Sequence, residues 1–262
     1  MNKIAIQFRQ IAYSLFKLIW IILSSPFSKS SRYHLGEMYQ TASYPFFGTK
    51  YITLGELLNN NNLQLSIAPV KANRHNVSEF ELVSICALIK DRNTSQIFEI
   101  GTFDGRTTRA MAMNINERGH IYTLNLSPDT NILQLNTNIV DIDLSKKVIS
   151  GERFINTAEG KKITQLWGDS AAFNFSTYEN KMDFVFIDGA HSESYLQSDT
   201  MNAMKLIKEN GGIIIWHDAH LFGVKDFLKK FKYLSNVYFI RYTSLAVMEI
   251  KNGNSIDISY KP

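Results

Sequence analysis

The stretch Gln96-Ile97-Phe98-Glu99-Ile100-Gly101-Thr102-Phe103-Asp104-Gly105 decides the fold. Its first five residues are mostly apolar and predict a short buried strand. Gly101 and Gly105 bracket a tight turn, and Arg106–Ile115 predicts the helix that the turn feeds. Upstream, Ser78-Glu79-Phe80-Glu81 has the capping-box form: Ser78 is the N-cap and Glu81 reaches back to it. A helix should therefore run from there to about Lys90. Downstream, His120–Leu126 and Ile163–Trp167 read as strands. Asp183–Ile187 and Ile213–Trp216 are continuous apolar runs, with a helix over Ser194–Lys208 between them. Such runs suit strands covered on both faces, as in parallel sheets. Strand-helix alternation means an α/β fold with right-handed crossovers. The chain closes on Asn236–Tyr242 and Ser244–Ile250, which read as a hairpin.

The chain has 262 residues, 45% hydrophobic and 20% charged. That is the composition of a globular protein with one large domain and a small appendage, and it excludes a collagen-like or low-complexity chain. Cys86 is the single cysteine, so no internal disulfide can form, in keeping with a cytoplasmic protein. Charge is unevenly placed. Residues 1–50 hold Lys3, Arg9, Lys17, Lys29, Arg32 and Lys50 against Glu37 alone. The total is +4, so the remaining 212 residues carry −1. A body without excess positive charge is not built to neutralise nucleic-acid phosphates, and no nucleic-acid partner is expected.

Residues 3–23 read as an amphipathic helix. Lys3, Gln7, Gln10, Ser14 and Lys17 form one stripe; Ile4, Phe8, Ile11, Leu15, Leu18, Ile19 and Ile22 fill the other face. Lys17 splits the apolar run well short of the about 20 residues that a span needs. No small-x-small cleavage site follows, so a signal peptide also fits poorly. Two readings stand: a helix lying in the plane of a membrane, basic residues toward anionic headgroups, and a helix packed on its own domain or on a second subunit of a homo-oligomer. Residues 31–76 read as a linker or lid containing short helices, Pro45, Pro69 and the polar run Asn59–Asn62. Tyr33, Tyr39, Tyr44, Phe46, Phe47 and Tyr51 in it are packing residues or a stacking surface for a ring.

In open α/β sheets ligands bind beyond the carboxyl ends of the strands. Polar residues gather at five such ends: Glu99 with Asp104; Asn125; Asp169 with Ser170; Asp188 with His191; and His217 with Asp218. Glu99-x-Gly101-x-x-x-Gly105 is not the dinucleotide fingerprint, and no P-loop is present. An acid ending the first strand, with glycines behind it, suits a ligand carrying an amine; an ordinary tight turn is the plainer alternative. Asp188 and Asp218 end strands expected to be neighbours and could converge on one divalent cation. His191, with an ordinary pKa of about 6.5, could serve as a general base beside it. Helix capping is the plainer alternative for each aspartate.

Taken together, Phe98–Thr108, Gly168-Asp169-Ser170, Phe186–Ser192 and Trp216-His217-Asp218 resemble the class I S-adenosylmethionine-dependent methyltransferases. Within that class they are most similar to the metal-dependent O-methyltransferase-like branch, which includes macrolide-sugar and other natural-product enzymes. Thr243-Ser244-Leu245-Ala246-Val247 fits as well, and the likeness spans roughly 68–250. The resemblance implies a Rossmann-like, doubly wound, mostly parallel sheet with a C-terminal antiparallel hairpin, in a methyltransferase domain over 77–262 preceded by a helix over 1–30. It implies S-adenosylmethionine as cofactor. Glu99 and Gly101 would line its methionine part, with Thr102, Asp104 and Gly105 in the same turn. Asn125 would meet the ribose, where the family usually has an acid. Asp169 and Ser170 would meet the adenine. Asp188 and Asp218 match metal positions for Mg²⁺ or Mn²⁺; His217, the third candidate ligand, departs from the acid often found there and either stays out of the metal shell or shifts its preference toward Mn²⁺ or another transition metal. Asp188 and His191 would then serve catalysis. The implied reaction is O-methylation of a small molecule, a sugar or a lipid-linked glycan, the last if the N-terminal helix touches the inner face of a membrane. Two other uses of the same fold stay open: a hydroxylase-like or repurposed relative, and a non-catalytic S-adenosylmethionine-binding protein.

Overall fold

A computed structural model of the chain describes residues 16, 17, 19–24, 28, 31, 50–60, 62–73, 75–130, 133–137, 148–231 and 233–251. The chain separates into two compact units, Met1–Phe47 and Gly48–Pro262.

The larger unit is built on one sheet. Its strands are β1 (Lys50–Ile52), β2 (Gln96–Ile100), β3 (His120–Asn125), β4 (Ile163–Trp167), β5 (Phe184–Ile187), β6 (Gly211–Trp216), β7 (Val237–Ile240) and β8 (Ala246–Lys251). They lie in the order β1-β7-β8-β6-β5-β2-β3-β4. β8 pairs antiparallel with β6 and β7, and the other pairings are parallel. This is the Rossmann-like sheet with a terminal antiparallel pair that the residues predict. The apolar runs sit where such a sheet needs them: all four residues of β5 and the last four of β6 are buried. Chain order reverses between β2, which continues to β3, and β5, which continues to β6. That switch point leaves a crevice at the strand ends.

The helices are α1 (Leu54–Leu57), α2 (Glu79–Asp91), α3 (Arg106–Asn114), α4 (Glu193–Leu206) and α5 (Phe222–Lys230). α2 starts as expected: the Ser78 hydroxyl accepts from Glu81 N–H, and the Glu81 carboxylate accepts from Ser78 N–H. α2 packs on α3, and α4 on α5. β1 departs from expectation. Lys50–Ile52, read as part of a linker or lid, is an edge strand in parallel register with β7. Tyr51 therefore packs on Phe239 at 6.1 Å between ring centroids, within the sheet. The other aromatics of that segment, 33–47, lie outside the described residues.

Of the expected helix over 3–23, residues 16, 17 and 19–23 are described and helical. Phe16, Ile19, Trp20, Ile22 and Leu23 are exposed. The Ser24 hydroxyl bonds the Trp20 carbonyl and Ser31 Oγ, each at 2.7 Å. Among the described residues, no helix is long and apolar enough to cross a membrane.

Candidate active site

The site begins with the close approach of β2 and β5. Gly101 has φ +101°, and a Cβ there would lie 2.0 Å from the Asp188 carbonyl oxygen. Only glycine lets the two strand ends come this near. Asp188 N–H donates to the Ile100 carbonyl at 2.8 Å, Gly101 N–H to Leu124 at 2.8 Å, and His217 N–H to Ile187 at 3.0 Å. Four strand ends are thus stitched edge to edge. Beyond them lies a cavity of about 300 Å³, with Gly101, Asn125, Asp169, Ser170, Asp188, His191, His217 and Asp218 on its wall. Leu126, Leu133 and Val148 make an apolar side, and His75, Asn76 and Phe103 also line it.

Four residues assigned to the cofactor from the sequence stand behind this wall. Glu99 is buried below it and accepts from the Thr108 and Thr123 hydroxyls, each at 2.5 Å. Burial pushes its carboxyl up to about 8. Thr102 shares its hydroxyl with Thr123 at 2.7 Å and takes Gln165 Nε2 at 3.0 Å. Asp104 accepts from Asn76 Nδ2 at 2.9 Å and from Arg106 N–H at 3.0 Å, so it ties the segment before α2 to the start of α3. Gly105 is the α3 N-cap, at φ +83°. These residues build the turn; the cavity meets it at Gly101 and Phe103.

Asn125 is on the wall, its Oδ1 accepting from Thr102 N–H at 3.2 Å. Asp169 is there too, but its carboxylate already takes three donors. The Tyr195 hydroxyl is 2.9 Å from both oxygens, Gln134 N–H is at 2.8 Å, and Ala171 N–H is at 2.9 Å. Burial, with the adjoining Asp169 charge, holds the Tyr195 phenol above its ordinary range.

At the ends of β5 and β6 the aspartates are not helix caps. Ser192 caps α4, and Leu221 occupies the N-cap of α5. The carboxylates instead surround His217. Asp188 Oδ1 is 2.8 Å and Asp218 Oδ2 3.5 Å from His217 Nδ1. Glu81 Oε2 is 3.5 Å from His217 Nε2. His191 Nε2 lies 3.2 Å from Asp218 Oδ2, and His220 Nδ1 lies 3.8 Å from Asp218 Oδ1. Burial opposes charge on His217, but the Asp188 and Asp218 carboxylates outweigh it and raise the imidazole well above its usual range. Burial would likewise raise Asp218, yet His217 and then His191 hold it below the ordinary carboxylate range. His220 moves the other way: burial lowers it.

Asp188, His217 and Asp218 each offer one ligand atom, and those atoms lie within 4.8 Å of one another. Two carboxylates and an imidazole could hold one divalent cation, with a donor set that suits Mn²⁺ or a related transition metal better than Mg²⁺. Sequence reasoning missed Glu81, whose motif announced only a helix start. It also missed His220, Tyr195 and His75, which carried no pattern of their own.

Residues 98–219 match the family model described as a methyltransferase domain. The match runs from β2 to the residue after Asp218 and so encloses the strand-end cluster. This segment is a methyltransferase domain. Solved structures similar to this chain include the O-methyltransferase TomG from Streptomyces achromogenes, in complex with SAM and involved in tomaymycin synthesis. That pair is 17% identical over 71% of this chain and 92% of TomG, with a TM-score of 0.49. The O-methyltransferase from Bacillus cereus, in complex with SAH, is 17% identical over 68% of this chain and 84% of that one, with a TM-score of 0.46. The SAH-bound methyltransferase PaMTH1 of Podospora anserina is 17% identical over 69% and 81%, with a TM-score of 0.48. No curated protein matches the chain.

Proposed function

We propose that the methyltransferase domain transfers a methyl group from S-adenosylmethionine to a hydroxyl oxygen of a small molecule. The observation that carries this reading is the meeting of Asp188, His191, His217 and Asp218 in the cavity that Gly101 and Asn125 also line. The residues fit the cofactor. Leu126, Leu133 and Val148 offer an apolar face for a planar base, and the Asn125 amide can bond ribose hydroxyls. Without a charge it bonds them more weakly than a carboxylate would. Asp169 is taken up by Tyr195, Gln134 and its own loop, so its part is to hold that wall in place.

S-Adenosylmethionine supplies the methyl group when bound. A divalent cation held by Asp188, His217 and Asp218 would supply Lewis acidity to the acceptor oxygen. As that oxygen gains the methyl, its proton passes to His191. Asp218 Oδ2, 3.2 Å from His191 Nε2, stabilises the imidazolium that results. The strand ends contribute position, since orientation alone can lower such a barrier by several kcal/mol.

Titration calorimetry with S-adenosylmethionine, with and without Mn²⁺, tests the reading. Micromolar binding is expected. His191→Ala should keep that affinity and lose about 10²–10⁴-fold in turnover on an accepted hydroxyl. A folded sample that binds no S-adenosylmethionine would overturn the assignment.

A second proposal rests on the exposed Phe16, Ile19, Trp20 and Leu23 with the adjoining Lys17. An aromatic and aliphatic face beside basic residues fits the surface of an anionic membrane. A cytoplasmic enzyme so placed would meet lipid-linked acceptors, including glycans.

A further inference from the structure

We propose that Glu81 is a positioning residue that sets which nitrogen His217 presents to the site. A capping-box glutamate needs only the N-cap N–H of its own helix. Glu81 has that contact, Ser78 N–H to Oε2 at 2.8 Å, and three more. Its Oε1 accepts from Ser244 N–H and Ser244 Oγ, each at 2.6 Å. Its Oε2 also lies 3.5 Å from His217 Nε2. The side chain is buried, as is the His217 ring. Burial alone would raise the Glu81 carboxyl; His217 and Ser244 hold it below the ordinary range.

The geometry has a direction. The carboxylate is pinned from one side by the first turn of α2 and from the other by Ser244, just before β8, so the imidazole must adjust to it. A carboxylate at Nε2 accepts the Nε2 proton. Nδ1 is then the nitrogen turned to Asp188 Oδ1 at 2.8 Å and Asp218 Oδ2 at 3.5 Å. A carboxylate behind a histidine, fixing its tautomer and ring orientation, is how metal-binding histidines are generally held. A charged His217, with protons on both nitrogens, keeps the same orientation and donates Nδ1–H to Asp188. Glu81 thereby links the start of α2 to the chemistry at the end of β6.

Glu81→Gln in the full chain tests this, since glutamine preserves the capping box. The first readout is the side-chain ¹H–¹⁵N spectrum of the metal-free protein, with the His217 signals assigned through His217→Asn. A slowly exchanging Nε2–H proton is expected in the wild type and should be lost in Glu81→Gln. Ser78→Ala, which breaks the same capping box but leaves the carboxylate contacts, should lower thermal stability without moving that signal. The second readout rests on the cation reading above: Mn²⁺ affinity by electron paramagnetic resonance should fall about 10–100-fold in Glu81→Gln. An unchanged Nε2–H signal in Glu81→Gln overturns the inference. A wild type that takes up no Mn²⁺ sinks the cation reading alone, and the Nε2–H signal still decides Glu81. Should Glu81→Gln fail to fold, Ser244→Ala, which removes one donor from Oε1, should speed exchange of the same proton; unaltered exchange there overturns the inference equally.

Discussion

Asp199, on α4, is fully buried, and neither of its carboxylate oxygens has a hydrogen-bond partner that meets ordinary geometry. Burial pushes it up to about 7, with the nearby Asp169 charge adding to the rise and Ser170 offsetting a little of it. The sign follows from proton binding. Between the ordinary carboxylate range and about 7, the folded chain holds a proton that the unfolded chain has released, so stability falls as pH rises through that window. Asp199→Asn removes the penalty. At about pH 9 the variant should be more stable by roughly 2–4 kcal/mol, at about 1.4 kcal/mol per pKa unit, and at about pH 4 the gain should be small. Urea unfolding at the two pH values measures it; a gain independent of pH would count against the buried-carboxyl account. Asp199 shows what is hidden at this scale. The sequence gives an aspartate in a helix, and only the packing of α4 under the Asp188-Gly189 turn tells that it is dry.

The elements carry the next layer. Gly101 joins β2 to its turn, and the strand's approach to β5 leaves no room for a side chain. Gly101→Ala would force a positive φ on a residue with a Cβ and drive that Cβ into the Asp188 backbone. It should cost about 2–4 kcal/mol in unfolding free energy. It should also weaken S-adenosylmethionine binding, because the β2 and β5 ends that line the cavity must part. Denaturant unfolding alongside calorimetry checks both; a stable variant with wild-type affinity would show that the strand ends can separate freely. At this scale much was legible. β2 and β4 lie at their expected residues, and β3, β5 and β6 within two residues of theirs; β5 and β6 were plainest, because strands covered on both faces leave continuous apolar runs. β1 was not legible. It has three residues, one partner and no alternation, and its pairing with β7 joins segments at opposite ends of the chain. The capping alternative for Asp188 and Asp218 failed for a related reason. Each precedes a helix, but Ser192 and Leu221 stand between the aspartates and the first turns.

For the whole molecule, the division of charge and apolar surface bears on the membrane proposal. Six of the basic residues fall in 1–50 against a single acid, and Phe16, Trp20 and Leu23 are each more than 60% exposed. The full chain should therefore bind vesicles of phosphatidylglycerol and phosphatidylcholine at low salt and come off as salt screens the attraction. A chain lacking residues 1–30 should stay in solution while keeping its S-adenosylmethionine affinity. Equal partitioning of the two chains in a flotation assay would remove the membrane reading. The sequence by itself determined the α/β class, most strand positions, the start of α2 and the set of strand-end polar residues, because hydrophobic period and turn chemistry are local. Only the tertiary structure decided which of those polar residues face the cavity. Glu99, Thr102 and Asp104 lie behind the wall and Asn125, Asp188 and His217 lie on it, since strand twist and neighbouring chains set the direction of each side chain. It alone brought Glu81, from the first turn of α2, against His217 at the end of β6. A contact between residues so far apart in the chain depends on how helices pack on the sheet, and no local pattern encodes that.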